Sequence, residues 1–204
     1  MINSQFKFSL VIPSFNDLRI IETIQSVNNQ SISRKDIEIV IMDGGSDAEV
    51  IAKIHENLQE TDQLISEQDD GIFDGINKGI NKARGEVIFT LGSDDRLAYK
   101  DAVKDILSFF TNENLDYLCS SLIYTSDDWS PVRFWEATRP GFWSFLIGRQ
   151  VGHFSFAAKK KVYDQLGLFN KELFVSADFD FFLRLGKSSM QGGIFKKVVT
   201  HMKL

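Results

Sequence analysis

The chain has 204 residues, 43% hydrophobic and 25% charged, with a formal net charge of −5 and one cysteine. That length supports one domain with a sizeable core, and the composition is ordinary for a soluble globular protein. The acidic balance excludes a global attraction to nucleic acid, and the lone Cys119 excludes an internal disulfide or a CxxC metal site, leaving a buried thiol.

The start, MINSQFKFSLVIP, carries no basic segment ahead of a long apolar stretch, so it does not read as a signal peptide. FKFSLVIP (6–13) is rich in β-formers and reads as a strand. In the segment that follows, Leu18, Ile21, Ile24 and Val27 recur at helical intervals. IEIVIMD (37–43) is a second apolar strand, AEVIAKIHENLQ a helix and DQLISE a short third strand. GIFDGINKGINKAR (71–84) is a helix with Ile72, Ile76, Ile80 and Ala83 on one side, and EVIFTLG a fourth strand. Continuous apolar strands alternating with helices predict an α/β fold, a mostly parallel sheet covered on both faces.

The second half is less regular. KDAVKDILSFFT reads as a helix, LDYLCSSLIY as a strand, and DDWSPVRFWEATRPGFWSF as a turn-rich stretch holding all three Trp. HFSFAA is a short strand, KKKVYDQLG a helix closed by Gly167, SADFDFFLRLGK a helix and GGIFKKVVTHMKL a strand. Neither linker composition nor a repeat divides residues 1–204, so the expectation is a single domain. No window holds 18 apolar residues, so no transmembrane segment is expected. The expected location is cytoplasmic, with peripheral association at the inner face of a membrane left open. The oligomeric state is unread.

The polar clusters follow strands: SFND, DGGSD, EQDD and GSDD. In parallel sheets ligands sit outside the carboxyl ends of the strands, so these clusters should share one rim. Asp94 and Asp95 in GSDD either cap the next helix from a solvated loop or share a divalent cation that offsets their repulsion. Asp43 before two glycines is either part of a βα turn or a carboxylate offered to a ribose or base. No GxGxxG follows any strand, against a dinucleotide site. Asp180 lies four residues before Arg184, an i,i+4 pair. Asp178 has no such partner and reads either as an anion in a first helical turn or as a general base. His153, beside a strand, is a structural contact or a site residue, and His55 and His201 give no metal spacing with it. The Trp residues suit either core packing or a sugar- or lipid-facing surface, and KKK (159–161) either solvent or an anionic head group.

Together VIPSFND, VIMDGGSDA, SEQDDGIFDGINKGINKARGEVIFTLGSDD and SADFDFFLRL resemble glycosyltransferase family 2, from about residue 8 to 185. The bacterial branch that builds exopolysaccharide, capsule or O-antigen is the most similar. The resemblance implies a GT-A fold, a three-layer α/β/α sandwich, with residues 1–98 as the nucleotide-sugar-binding half and 99–204 as the acceptor-side half. It implies a nucleotide-diphospho-sugar donor, expected to be a UDP-sugar, and a glycan or lipid-linked acceptor, with Mn²⁺ or Mg²⁺ the sole cofactor. Asp94 and Asp95 fall on the metal site, although Gly92 stands where the family usually carries Asp or Asn. Pro13, Ser14 and Asn16 match the loop that touches the nucleotide, and Asp43 matches the carboxylate that reads uracil or ribose. Asp69, Asn77 and Arg84 lie in the stretch that closes over base and diphosphate, and Asp94 counts with these nucleotide contacts as well as with the metal site. Asp178 matches the catalytic base, with Ala177 where many members carry Glu. His153 matches a weak acceptor-side position, here followed by Phe154. The family inverts the anomeric centre by direct displacement. No QxxRW-like motif suggests processive polymerisation, and the chain stops at Leu204 where relatives often continue. A non-catalytic nucleotide-sugar-binding or scaffold protein is the competing reading. A nucleotidyltransferase would want a Gly- and basic-rich first loop, which SFND is not.

Overall fold

The computed structural model describes residues 6–204. Four strands, β1 (Phe6–Ser14), β2 (Ile37–Asp43), β3 (Gln63–Ser66) and β4 (Gly85–Thr90), pair in parallel in the order β3-β2-β1-β4. Helices α1 (Ile20–Asn28), α2 (Ala48–Asn57) and α3 (Ile72–Lys82) connect them. Alternate side chains of the strands feed two separate cores. Phe8, Leu10, Ile12, Ile37, Ile39, Ile41, Val87 and Phe89 pack with α1, with Ile54 of α2 and with α4 (Ala102–Glu113). Val11, Val40, Met42 and Ile88 pack on the other face with α3, α6 (Lys160–Leu166) and α7 (Ala177–Gly186). Burial on both faces is why these strands read as unbroken apolar runs. The result is a three-layer α/β/α arrangement, as expected.

The sheet continues through β8 (Phe156–Lys159), β6 (Tyr117–Thr125) and β9 (Gly192–Lys203). β8 runs antiparallel to both β4 and β6, while β9 lies parallel to β6. Two further strands depart from the sequence reading. β5 (Arg96–Leu97) pairs with the end of β9, and β7 (Pro131–Trp135) pairs with the second half of β6 inside the stretch read as turn-rich. A short helix, α5 (Phe142–Leu146), occupies the rest of that stretch. Of the KKK run, Lys161 forms an ion pair with Asp116 and Lys160 donates to the Ala83 carbonyl.

The two ends of the sheet differ in chemistry. At the amino end Glu38 is fully buried. It accepts from the Ser9 hydroxyl at 2.5 Å, Arg84 Nε at 2.7 Å, the Gly85 amide at 3.1 Å and Gln63 Nε2 at 3.3 Å, and also from the Arg84 amide. A buried carboxylate is tolerable only with such saturation. The carboxyl end carries the other acidic cluster.

Candidate active site

At the carboxyl rim, β1 and β2 end in register, Ser14 opposite Asp43. Asp43 is buried and holds the β2–α2 turn together. Its Oδ2 accepts from the Gly45 amide at 3.0 Å, the Ser46 amide at 2.8 Å and Ser66 Oγ at 2.7 Å, and its Oδ1 accepts from Ser46 Oγ. Asn16, at φ 47°, donates its amide to Ser46 Oγ and accepts the Asp47 amide at 2.9 Å, tying the first rim loop to the second. Gly44 and Gly75 make room for Asp69: an added Cβ would lie 3.1 and 3.2 Å from its Oδ2. Pro13 is buried beside Gly75. The Ser14 hydroxyl is buried with no partner, and the neighbouring Phe15 ring is 64% exposed. The rim therefore brings together Pro13, Ser14, Asn16, Asp43 and Asp69.

Asp94 and Asp95 follow β4 on the same rim. The Thr23 hydroxyl of α1 lies 2.8 Å from the Ser93 carbonyl and 2.6 Å from that of Asp95, which fixes this loop on the helix. Asp95 is 1% exposed, and its carboxylate accepts only two backbone amides, Lys203 at 3.1 Å and Gly92 at 3.3 Å. Burial first, and then repulsion from Asp94, push its pKa up to about 7. A Cβ on Gly92 would sit 2.6 Å from Asp95 Oδ2, so glycine here lets the carboxylate tuck back onto the loop. Asp94 is partly exposed and pairs with Arg19 Nη1 at 3.0 Å, while Arg19 also clasps Asp17, which accepts from Ser93 Oγ. Lys203 and Arg96 both lie over the Trp129 ring, 4.3 and 3.9 Å from its centre.

Asp178 stands in the first turn of α7, and burial raises its pKa. It lines a cavity of about 250 Å³ with Phe73, Tyr124, Trp135, Gln150, His153 and Met202, among others. Met202 precedes the residue whose amide binds Asp95, so the cavity opens beside the acidic pair. The His153 ring is buried against Phe73, Phe154 and Phe169 with both nitrogens unpartnered. Desolvation lowers its pKa to about 4, so it is neutral at ordinary pH. Asp180 pairs with Arg184, as its spacing implies, and Arg184 also donates to the Leu166 and Leu168 carbonyls.

Two expected nucleotide contacts lie elsewhere. Arg84 immediately precedes β4, so it sits at the amino end of the sheet, a six-residue strand away from the rim, and serves as the counter-ion of Glu38. Asn77 spends its amide on the Phe169 backbone, donating at 2.8 Å and accepting at 3.0 Å, and so ties α3 to the loop after α6. The sequence reading put the SFND cluster on this rim without singling out Phe15 or Asp17, and missed Arg19 and Thr23. The charged step D-L-R between strand end and helix was the available signal for Asp17 and Arg19.

Among the described residues no group of three or more His, Cys, Asp or Glu side chains converges as a metal cage. The chemistry of the pair nevertheless fits a hard divalent cation. Such ions take one or two carboxylates and complete their shell with substrate phosphates and water. Asp95, buried without a direct counter-cation, is the group such an ion would relieve.

The family model described as Glycosyl transferase family 2 matches residues 9–174. A PGL/p-HBAD biosynthesis glycosyltransferase of Mycobacterium bovis is 28% identical over 182 residues, covering 87% of this chain and 68% of that protein. Among solved structures, Staphylococcus aureus TarS 1–349 in complex with UDP-GlcNAc superposes with a TM-score of 0.79 at 18% identity, over 98% of this chain and 59% of that one. The mannosyltransferase PcManGT from Pyrobaculum calidifontis, in complex with GDP-Man and Mn²⁺, gives 0.68 at 16% identity, over 97% and 57%. The chain thus spans about 60% of the length of these structural neighbours.

Proposed function

The chain belongs to glycosyl transferase family 2, and on that premise we propose a metal-dependent, inverting transferase that moves a sugar from a UDP-sugar to a hydroxyl of a glycan or lipid-linked acceptor. Surface polysaccharide synthesis in the cytoplasm, at the inner face of a membrane, is the setting this reading assigns. The observation that carries it is the pairing of Asp94 and buried Asp95 on the rim, beside the cavity that Asp178 lines. Residues 1–98 form the donor half and 99–204 the acceptor half of one domain.

In this reading the uracil lies on the exposed Phe15 ring, within reach of the Asp43 turn, and the Ser14 hydroxyl finds the partner it lacks. Pro13, Asn16 and Asp69 shape that loop. Asp94 and Asp95 would hold the cation, Mn²⁺ or Mg²⁺, which when bound would offset the charge of the leaving diphosphate. Asp178 accepts the proton of the acceptor hydroxyl as its oxygen bonds to the anomeric carbon and the bond to the diphosphate breaks. Attack from the face opposite the leaving group inverts that carbon. A carboxylate raised by partial burial suits a base working near neutrality. Neutral His153 belongs to the acceptor-side wall of that cavity.

Calorimetry of UDP binding with and without Mn²⁺ tests the donor site, and tighter binding of GDP would overturn the donor class. Transfer assays test the base. Asp178→Asn should fold, bind UDP and lose transfer by about a hundredfold or more. Near-normal transfer would remove Asp178 from the mechanism. Metal-dependent UDP binding by the wild type without any turnover or UDP-sugar hydrolysis would instead support the non-catalytic reading.

A further inference from the structure

Two short segments expose large apolar side chains out of proportion to the rest of the surface. On α5 and just after it, Phe142, Trp143, Leu146 and Ile147 are 59, 74, 64 and 70% exposed. Just before α7, Phe174 and Val175 are 74 and 89% exposed. The segments are neighbours. Phe145 of α5 packs on Phe179 of α7 with ring centres 4.7 Å apart, and the Gly141 backbone lies against Gly186 at the other end of α7. Phe174 holds φ 41°, a left-handed conformation that costs a bulky residue energy. A contiguous apolar face of this kind marks an interaction site rather than scattered surface residues.

The charge around it selects the partner. Arg133 and Arg149 line one groove of about 200 Å³ beside α5, Arg139 stands just before α5, and Lys187 follows the Gly186 contact. None of these four cations takes part in an ion pair among the described residues. The exposed carboxylates alongside are Glu136, Glu172 and Asp70, the last paired with Lys171, so the border is net basic in a chain whose net charge is −5. Exposed aromatic and aliphatic groups ringed by unpaired arginine and lysine match the interface of an anionic bilayer. The apolar groups enter the acyl boundary and the cations stay among the head groups.

We propose that this face, built from residues 142–147 and 173–175, docks the protein on an anionic lipid bilayer. Docking there sets the mouth of the Asp178 cavity at the membrane surface, because Asp178 follows Val175 by three residues and Gln150, at the far end of the α5 segment, lines the same cavity. The location does not depend on which sugar nucleotide is used.

The test is co-sedimentation of the whole chain with vesicles of phosphatidylcholine alone and of phosphatidylcholine with about one-third phosphatidylglycerol. The wild type should pellet with the anionic vesicles and stay largely in solution with the neutral ones. The combined F142S, W143S and F174S variant should bind at least tenfold more weakly. R139Q and R149Q should each weaken binding about fivefold, an effect that 0.5 M salt also produces. Circular dichroism and UDP calorimetry on the same variants should match wild type, which separates this result from any failure of the donor reading. Wild type that remains in solution with anionic vesicles, or a triple variant that pellets like wild type, overturns the proposal. So does light scattering that shows a wild-type dimer, abolished in the triple variant, with no difference on vesicles, because the face then joins two copies of the chain.

Discussion

The two ends of the central sheet each bury a carboxylate, and they treat it in opposite ways. At the amino end Glu38 receives donors from Ser9, Gln63, Gly85 and both the side chain and backbone of Arg84. At the carboxyl end Asp95 receives two backbone amides, faces a second carboxylate, and has its pKa pushed up to about 7. A saturated acid is part of the scaffold. An under-satisfied acid, held in place by a helix hydroxyl and a glycine turn, keeps its capacity for something that arrives later. Burial and charge alone do not separate the two ends, whereas the inventory of donors does.

The largest effect expected from breaking this contrast is at Asp95. Asp95→Ala should weaken Mn²⁺-dependent UDP binding by about a hundredfold, the upper range for disrupting a metal's immediate surroundings, while thermal unfolding stays cooperative. Unchanged binding by calorimetry would put the cation elsewhere. Arg84→Ala should do the reverse. It should cost about 2–3 kcal/mol of stability, because Glu38 is left buried without its counter-charge, and leave UDP affinity of the folded protein intact. Denaturant titration and calorimetry on one preparation separate the two, and a loss of affinity without a loss of stability would return Arg84 to the nucleotide.

A smaller effect concerns pH in the metal-free protein. Asp95 binds its proton more tightly in the folded state, at about 7, than in the unfolded chain, at 3.8. Its contribution therefore lowers stability as pH rises from about 4 to about 7. Asp95→Asn should remove that decline, so its unfolding midpoint should overtake wild type across this window. Asp74 has the opposite sign. Lys171, first among its partners, lowers its pKa to about 2, so its contribution is present above about 4 and fades as pH falls toward 2. A wild-type profile that rises between pH 4 and 7 and is matched by Asp95→Asn would contradict this account of the rim. The smallest effect is expected at Asp180→Asn, which should cost about 0.5 kcal/mol and little transfer, because its ion pair is partly exposed and Arg184 keeps the Leu166 and Leu168 carbonyls.

The sequence exposes the parallel core well because β1, β2 and β4 are buried on both faces, so each is an unbroken apolar run ended by polar residues. The order of those runs also places Asp43, Asp94 and Asp95 on one rim. What it hides has physical causes. β5 is two residues long and exists only through its pairing with β9. β7 is an exposed edge whose residues show no alternation, so PVRFW looks like the turns around it. Arg84 sits close to motif residues in sequence, but its partner Glu38 is 46 residues away on β2, with β1 between that strand and β4. Its role follows from which end of β4 it occupies, and only strand order reveals that. Asn77 is similar, its partner Phe169 lying 92 residues downstream.

The last strand has a consequence in time rather than space. β9 supplies a parallel partner to β6, pairs with β5, and ends by offering the Lys203 amide to Asp95. The βα units before residue 91 join near neighbours in the sequence and can form while the chain is still being made, since closing short loops is fast. The rim carboxylate must wait for a donor 108 residues further on. A nascent chain would thus own the rim loops after β1 and β2 well before it owned a finished acidic pair. The order of synthesis would then separate the rim loops from the completed acidic pair by more than half the length of the chain.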